Sequence, residues 1–337
     1  MVEALLAKQL IPDAVIRWGI RRLLRERLNE IEPMKSQEAQ RAFVEKLRQG
    51  PIAVQTRDAN EQHYEVPTEF YLKALGPHLK YSCGYWEAGD DLPASEKRML
   101  ALTCERAGIK DGMEVLELGC GWGSLSLWMA AKFPNCKIKG VSNSATQREH
   151  IMNEAQKRGL KNLQIITADM NEFQATGTFD RVVSVEMFEH MRNWHLLLSK
   201  VSAWLKPDGK LFVHIFVHQT TPYLFEVKDA SDWMSRYFFS GGMMPSLELF
   251  KKFNEHFTVA QQWKVNGNHY AKTSEAWLQE TDRHAQYLLP IFEKHYGAGE
   301  GRKWLEWWRI FFMSCAELFK FNSGDEWFVG HYLLERK

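Results

Sequence analysis

Two carboxylates and an imidazole lie in one short segment of the chain, at Glu186, Glu189 and His190. If the segment is helical, these three side chains stand at i, i+3 and i+4 and share a face. Such a group can attract a cation and take up a proton. A solvated helix start would also favour acids, because the helix dipole stabilises them there. The apolar neighbours in the segment favour a catalytic group instead.

A glycine-rich turn follows a buried apolar run at residues 115–118. Gly119, Gly121 and Gly123 let the backbone turn sharply and approach a ligand without an intervening Cβ. Helical spacing begins just after them, so the turn lies at a helix N-terminus, where backbone N–H groups can meet a bound molecule. A dinucleotide site is disfavoured, since Ser124 replaces the third glycine and Asn143 stands where a ribose-binding acid is expected.

The pattern E-x-G-x-G-x-G that begins at Glu117 resembles the S-adenosylmethionine site of class I methyltransferases. This resemblance implies that Glu117 reaches the methionine amino group. It also implies that Gly119, Gly121 and Gly123 pass beneath the methionine and the ribose.

Polar residues at the ends of successive predicted strands fit the same site. Asn143 and Gln147 can bond the ribose hydroxyls, and Asp169 can accept the adenine amino group. Tyr81 and Ser82, upstream of the sheet, can reach the methionine carboxylate. Open parallel sheets bind ligands at the carboxyl ends of their strands, which supports the set as a whole.

Strand and helix alternate from about residue 95, which predicts a parallel sheet covered on both faces. Residues 206–209 (Lys-Pro-Asp-Gly) predict a turn, residues 218–256 are irregular and aromatic, and residues 273–320 form a helical block. Strands are predicted at 114–118, 137–142, 163–167, 180–185, 210–216, 257–265 and 327–335, and helices at 123–133, 145–159 and 194–205.

The first 50 residues predict helices, one of them amphipathic with a basic face. Such a helix can lie on a membrane. The acids Glu26 and Glu30 dilute its charge, which favours packing on its own domain or against a second copy in a homodimer. The apolar face comprises Ile16, Ile20, Leu23, Leu24, Leu28 and Ile31.

The 43 basic and 42 acidic side chains nearly balance, which argues against a nucleic-acid partner. The five cysteines lack paired metal spacing, so no metal is expected and a reduced cytoplasmic setting is favoured.

No signal peptide or bilayer-spanning apolar run is present, so no stable membrane insertion is expected. Thirteen Trp and 20 Phe predict a large aromatic core that also lines a pocket for an apolar or cationic molecule.

Several motifs resemble the cyclopropane fatty acid synthase family along nearly the whole chain: residues 65–71, 80–86, 188–190, 212–214 and 269–270. The family includes bacterial synthases that bridge phospholipid double bonds and plant N-methyltransferases of the coclaurine type. In the synthases a bicarbonate ion acts as base. The resemblance implies that the residues that hold this bicarbonate correspond to Cys83, Glu189, His214 and Tyr270. A bicarbonate site is therefore kept as an alternative.

Other motifs resemble the N-methyltransferase branch more closely. Glu186 stands where the synthases have a small residue, and residues 321–327 resemble the plant ending. In that branch the residues matched by Glu186, Glu189 and His190 are catalytic. Tyr270 matches the synthases, because the plant pattern has Phe there.

These features together predict a class I, Rossmann-like methyltransferase with a mostly parallel seven-stranded sheet. N-terminal helices and a helical insertion near the C-terminus flank that sheet. We expect a helical extension at 1–60, a cofactor-binding core at 61–217 and a substrate-binding part with closing strands at 218–337. The expected reaction is methylation of a small organic amine, and methylene transfer to a phospholipid acyl chain is the alternative.

Overall fold

A seven-stranded sheet forms the centre of the described part of the chain. The computed structural model describes residues 6, 10–54, 66–226, 233–239 and 241–337. The sheet strands are β1 (Glu114–Leu118), β2 (Lys137–Ser142), β3 (Leu163–Thr167), β4 (Phe179–Val185), β5 (Leu205–His218), β8 (Phe257–Val265) and β9 (Trp327–Arg336). Their order across the sheet is β3-β2-β1-β4-β5-β9-β8. Strands β1 to β5 pair in parallel, and β9 runs antiparallel between β5 and β8. The expected mostly parallel sheet is confirmed.

Eleven helices surround the sheet in the described residues, and those that follow β1, β2 and β4 match the predicted positions. They are α1 (Asp13–Ile31), α2 (Gln37–Leu47), α3 (Thr68–Ala74), α4 (Leu92–Ala107), α5 (Ser124–Lys132), α6 (Ala145–Lys157), α7 (Trp194–Trp204), α8 (Trp233–Tyr237), α9 (Gly267–Arg283), α10 (Ala285–Tyr296) and α11 (Gly301–Lys320). The predicted helical block is therefore three helices. Short 3-10 helices cover Glu32–Lys35, Phe188–His190, Leu249–Lys252 and Phe321–Gly324.

The predicted turn at residues 206–209 lies inside β5. The register with β4 passes from Phe179 opposite Leu205 to Arg181 opposite Lys210, so the extra residues form a bulge. A bulge absorbs additional residues without ending a strand. Residues 206–209 have the composition of a turn, but the strand pairing continues on both sides of them. The aromatic segment that follows contains the short strands β6 (Tyr223–Leu224) and β7 (Met243–Met244), which pair with each other.

Helix α1 packs on α11 of the same chain. Ile16 and Ile31 are buried, and Arg17 donates hydrogen bonds to Glu275 and Glu317. Leu23 is an exception to the predicted apolar face, because 45% of its surface is exposed. Packing on the chain's own domain thus accounts for most of the amphipathic pattern. Among the described helices, none combines the length and apolar character that crossing a bilayer demands.

Aromatic side chains from α3, α9 and α11 form a second core beside the sheet. Trp307, Trp308 and Phe312 are almost fully buried, and Phe70 packs 4.5 Å from the ring of Trp308. The expectation that the C-terminal aromatic residues are mostly core holds. Because this core rests against the sheet's carboxyl end, it supports one wall of a cavity there.

Candidate active site

A cavity of about 330 Å³, the main cavity of the candidate site, lies between the carboxyl ends of β1 and β4, helix α1 and the aromatic core. The titratable side chains that line it include five that the sequence predicted and the neighbouring Lys80. The five are Tyr81, Glu117, Glu186, Glu189 and His190. Aromatic rings make up much of the remaining wall: Trp122, Phe216, Tyr223, Phe225, Trp233, Phe239, Tyr270, Trp277, Phe311 and Phe319. A mostly apolar cleft with a few convergent polar groups is the usual form of a small-molecule site.

The glycine turn has the backbone that its sequence predicts. Gly119, Gly121 and Gly123 all have positive φ angles, of 77°, 50° and 81°. A Cβ at Gly121 would meet nothing within 4 Å, whereas one at Gly119 would lie 2.7 Å from Met187 Cγ. Gly121 therefore leaves room for a ligand. Gly123 packs against Ile151 and lines neither cavity, so its place is that of a helix start.

Glu117 is a buried acid at the end of β1 and faces the main cavity. The Ser126 hydroxyl donates a short hydrogen bond to its Oε2. Burial raises the pKa of Glu117 to about 7, although the Ser126 bond and the Lys80 charge oppose the shift. A cationic amino group bound against Glu117 would offset this cost of burial, which fits the methionine end of S-adenosylmethionine.

A smaller cavity, of about 70 Å³, adjoins the main one. Asn143 and Asp169 line it at the ends of β2 and β3, as predicted. Gly119, Gly121, Gln147 and His190 line both cavities. A ligand with a nucleoside end and an amino-acid end can therefore span the two cavities, with its centre beside His190.

Helix α6 fixes Gln147 at the junction of the cavities. Ser144 caps the helix by accepting a hydrogen bond from the Gln147 backbone N–H. The Ser142 hydroxyl donates to Gln147 Oε1 at 2.7 Å. The amide nitrogen of Gln147 is thus oriented away from Ser142. This arrangement agrees with the role expected from sequence, although Gln147 borders more than the ribose region.

Ala53 and Val54 also line the small cavity, and sequence analysis missed them. The Ala53 backbone is held by the Asn171 side chain, which accepts its N–H at 3.0 Å and donates to its C=O at 3.1 Å. Asp169 in turn accepts the Asn171 backbone N–H. No local motif marks these residues, because they come from a loop far away in the chain.

Glu186 lies on no helix, so the predicted i, i+3, i+4 face is wrong. Its φ angle is 48°, and the 3-10 helix that follows covers only Phe188–His190. Glu186, Glu189 and His190 nevertheless line the same cavity. A left-handed backbone at a non-glycine residue is uncommon and is found often at functional sites.

Two side chains from distant elements contact the Glu186 carboxylate. Tyr270 on α9 donates its hydroxyl to Oε2 at 2.6 Å, and His214 on β5 places Nε2 3.3 Å from Oε1. Burial raises the pKa of Glu186 to about 7, while the Tyr270 bond and the Lys80 charge act in the opposite sense. Glu186 can therefore change protonation near neutral pH.

Glu189 and His190 are the other members of the predicted group. Burial and the nearby Glu186 charge raise the pKa of Glu189 well above its usual value. Its Oε2 is buried and accepts no hydrogen bond from any residue that the structure describes. Burial lowers the pKa of His190 to about 4, so the ring is neutral at pH 7. The His190 ring lies parallel to that of Phe239, at 5.6 Å.

His214 is fully buried behind Glu186 and lines neither cavity. Its Nδ1 lies 2.8 Å from Nε2 of His331, and Nδ1 of His331 lies 2.8 Å from a guanidinium nitrogen of Arg106. The register of the sheet creates this contact, since His214 pairs with His331 across β5 and β9. His331 and Arg106 were not among the residues predicted from the sequence, because no local motif marks them.

Cys83 and Lys80 complete the surroundings of Glu186. The Cys83 thiol donates to the Gly84 carbonyl, and burial raises its pKa well above the usual value. Cys83 lines neither cavity. The Lys80 ammonium donates to the Ser82 hydroxyl at 2.5 Å, and burial lowers its pKa. Ser82 itself faces the main cavity, as expected, but sequence analysis missed Lys80.

The sequence profile of the mycolic acid cyclopropane synthetase family matches residues 53–328. The chain belongs to this family. A curated relative, (S)-coclaurine N-methyltransferase of Thalictrum flavum subsp. glaucum, is 38% identical over 96% of this chain and 88% of the relative. The cyclopropane-fatty-acyl-phospholipid synthase of Escherichia coli strain K12 is more distant, with 28% identity over 76% of this chain and 68% of the synthase.

A solved structure of coclaurine N-methyltransferase, bound to N-methylheliamine and SAH, superposes with a TM-score of 0.94. The two chains are 37% identical, and the match covers 99% of this chain and 98% of the other. The family expected from the motifs, the methyltransferase fold and the enzyme class are thus confirmed: the protein is a methyltransferase that depends on S-adenosylmethionine.

Proposed function

We propose that the protein transfers a methyl group from S-adenosylmethionine to the nitrogen of a small organic amine. The observation that carries the proposal is the Glu186 carboxylate, which borders the main cavity and is held by Tyr270 and His214. The relatives named for N-methyl transfer support the choice of a nitrogen acceptor.

The cofactor-binding residues would act at both cavities. Glu117 would hold the methionine amino group, and Tyr81 and Ser82 the carboxylate. Asn143, Gln147 and Asp169 would hold the nucleoside in the small cavity. When bound, S-adenosylmethionine supplies an electrophilic methyl group on a sulfonium. Because Gly119 and Gly121 border both cavities, the cofactor's centre would rest against backbone without side chains.

The acid–base group would bind the amine and remove its proton. A free aliphatic amine is an ammonium ion at neutral pH, since its pKa is near 10. Glu186 would attract this cation and accept its proton, and Glu189 beside it, whose ionisation is opposed by burial and by the Glu186 charge, would hydrogen-bond the amine. The freed nitrogen lone pair would then form the bond to the methyl carbon, while the bond from that carbon to sulfur breaks and the neutral thioether leaves. Positioning of the two reactants contributes much of the rate in such a transfer.

His190 and the aromatic wall would position the acceptor. At pH 7 the neutral His190 ring can accept or donate a hydrogen bond, and it lies where the two cavities meet. Rings such as those of Phe239 and Phe319 would cover the organic part of the amine and the methylated cation by cation–π contact. We propose that 61–217 holds the cofactor, 218–337 supplies most of this wall and 1–60 covers the cavity.

We further propose that Glu186 makes bicarbonate unnecessary. In the resemblance to the synthases, His214 and Tyr270 match two of the bicarbonate ligands. Here both residues contact the two oxygens of the Glu186 carboxylate instead. The Glu186 carboxylate, a planar anion with two oxygens, would thus take the place of bicarbonate. It comes from the position where the synthases have a small residue.

The test uses methyl-labelled S-adenosylmethionine with the purified protein. One reaction contains a panel of secondary and tertiary amines with aromatic rings, and the other contains vesicles of unsaturated phospholipid. Both are run in buffer freed of carbon dioxide and again with added bicarbonate. We expect label in a basic, water-extractable product and no dependence on bicarbonate.

Label retained in the acyl chains would overturn the assignment. It would mean that Cys83, Glu189, His214 and Tyr270, which match the synthase set, serve lipid methylene transfer. The variant Glu172→Gln is a matched control, because Glu172 is an exposed carboxylate outside both cavities. Its product pattern should equal that of the unmodified protein.

A further inference from the structure

A line of hydrogen bonds runs from the active-site carboxylate across strands β5 and β9 to helix α4. It joins Glu186, His214, His331 and Arg106 through heavy-atom distances of 3.3, 2.8 and 2.8 Å. His214 and His331 are fully buried, and Arg106 lies in the last turn of α4 with its guanidinium 5.0 Å from the Trp263 ring centre. None of these contacts involves the cofactor turn.

Arginine sets the direction of every bond in this line, because a guanidinium donates hydrogen bonds and accepts none. His331 must therefore accept at Nδ1. A neutral imidazole has one donor nitrogen and one acceptor nitrogen, so His331 carries its hydrogen on Nε2 and donates to Nδ1 of His214. His214 then carries its own hydrogen on Nε2, which faces Glu186 Oε1.

The charges around the two imidazoles support this neutral arrangement. Burial lowers the pKa of both His214 and His331 well below the usual value, and the Arg106 and Lys80 charges act in the same sense. A proton removed from an amine would therefore not reside on His214. It stays with the carboxylates that border the cavity.

We propose that Arg106 and His331 are positioning residues that lock His214 in the tautomer that donates its Nε2 hydrogen to Glu186. This inference rests on the proposed role of Glu186 as the base. The locked donor holds the Glu186 carboxylate in place opposite the Tyr270 hydroxyl and favours its anionic form. Since the line ends in a donor, it orients the base and carries no proton away from it.

Groups from several elements act on the protonation of Glu186. They come from the segment before α4, from β5, α9 and α11, and from the short helix after β4: Lys80, Cys83, Glu189, His190, His214, Tyr270 and Cys315. His331 and Arg106 touch none of the cavity's surface, so changing them alters the orientation of His214 without removing a group that faces the substrate.

The first experiment reads the tautomers directly and needs no substrate. Long-range proton–nitrogen NMR spectra of nitrogen-labelled protein distinguish the two imidazole tautomers. The signals that disappear from the spectrum of the variant His331→Gln are those of His331. We expect both His214 and His331 to be neutral with hydrogen on Nε2 from pH 6 to 8. Hydrogen on Nδ1 of His214 would overturn the proposal, even if the amine assignment itself holds.

The second experiment compares pH profiles of kcat/KM for three variants. His331→Gln can accept from Arg106 through its carbonyl and donate to His214 through its amide, so it should keep the profile. His331→Leu and Arg106→Met cannot fix the tautomer. Their acid limbs should move to higher pH by about one unit, the size expected for a lost hydrogen bond to a charged group.

Controls separate this effect from a loss of fold. The variant His218→Gln changes another buried histidine of β5 that is not in the line, and its profile should not move. Calorimetry should give unchanged affinity for S-adenosylmethionine in all variants. If His331→Leu does not fold, Arg106→Met decides the matter, and an unshifted acid limb in that variant contradicts the proposal. If no amine is methylated at all, the proposed function fails, and the NMR spectra still decide whether His214 has the expected tautomer.

Discussion

The Tyr270 hydroxyl donates a hydrogen bond of 2.6 Å to Oε2 of Glu186, which lies 84 positions earlier in the chain. His214 contacts the other oxygen of the same carboxylate. Together these two side chains fix the plane of an acid whose backbone has a left-handed φ angle. A carboxylate so oriented is suited to receive a proton from one direction, which is that of the main cavity.

We expect kcat/KM for the amine to rise with pH through about 7, because Glu186 must lose its proton to act as a base and its pKa is about 7. The variant Tyr270→Phe removes a hydrogen bond to the charged form, so its acid limb should move to higher pH. Steady-state rates between pH 5 and 9 give both profiles. An unmoved limb in Tyr270→Phe would show that Glu186 does not govern the titration.

Replacement of Glu186 by glycine should reduce amine methylation strongly, by about 100- to 10,000-fold, which is the range for a lost acid–base group. Glycine adopts the φ angle of 48° without strain, so the variant should fold. Added bicarbonate or formate should restore part of the rate, since either anion can occupy the space between Tyr270 and His214. Full amine turnover in the variant without added anion would refute the role of Glu186.

The variant Glu189→Ala should lose most of its turnover while its affinity for S-adenosylmethionine stays nearly normal. Glu189 borders the main cavity but not the small one, so it lies away from the nucleoside end of the cofactor site. Its buried Oε2 accepts no hydrogen bond from the described residues and is therefore available to a bound acceptor. Single-turnover rates and calorimetry measure the two properties separately. A fully active variant would remove Glu189 from catalysis under either the amine or the lipid mechanism.

The variant Gly121→Arg should abolish binding of S-adenosylmethionine, because the space at the Gly121 Cα opens toward the cavity. Gly159→Arg is the matched control. Gly159 also has a positive φ angle, of 67°, and open space around it, but it lies outside the cavities. Calorimetry should show lost binding in the first variant and unchanged binding in the second. Equal affinities would place the cofactor elsewhere.

Binding of S-adenosylmethionine at pH 6 should release protons, in part from Glu117. The free protein holds a proton on this acid at pH 6, since its pKa is about 7, and a bound ammonium group lowers that pKa. The release should shrink by pH 8. Calorimetry in buffers of different ionisation enthalpy measures it, and Glu117→Gln should show less release than the control Glu114→Gln. An equal release in both variants would argue against Glu117 as the amino-group ligand.

The sequence by itself determined the local parts of this protein. Apolar runs such as residues 115–118 and 137–142 specify buried strands, and the glycines after β1 specify the turn, because both depend on neighbouring residues. The segment that holds Glu186, Glu189 and His190 was also evident, since the residue types needed for proton transfer lie close together in the chain.

Only the tertiary structure decided how those parts meet. The expected helical face at Glu186 was wrong, because contacts with Tyr270 and His214 fix a backbone that local propensity does not favour. His331 lies beside His214 only because β9 pairs with β5 in one register, and pairing between distant strands leaves no local pattern. Ala53 reaches the small cavity for the same reason, through a contact with Asn171 across 118 positions of the chain.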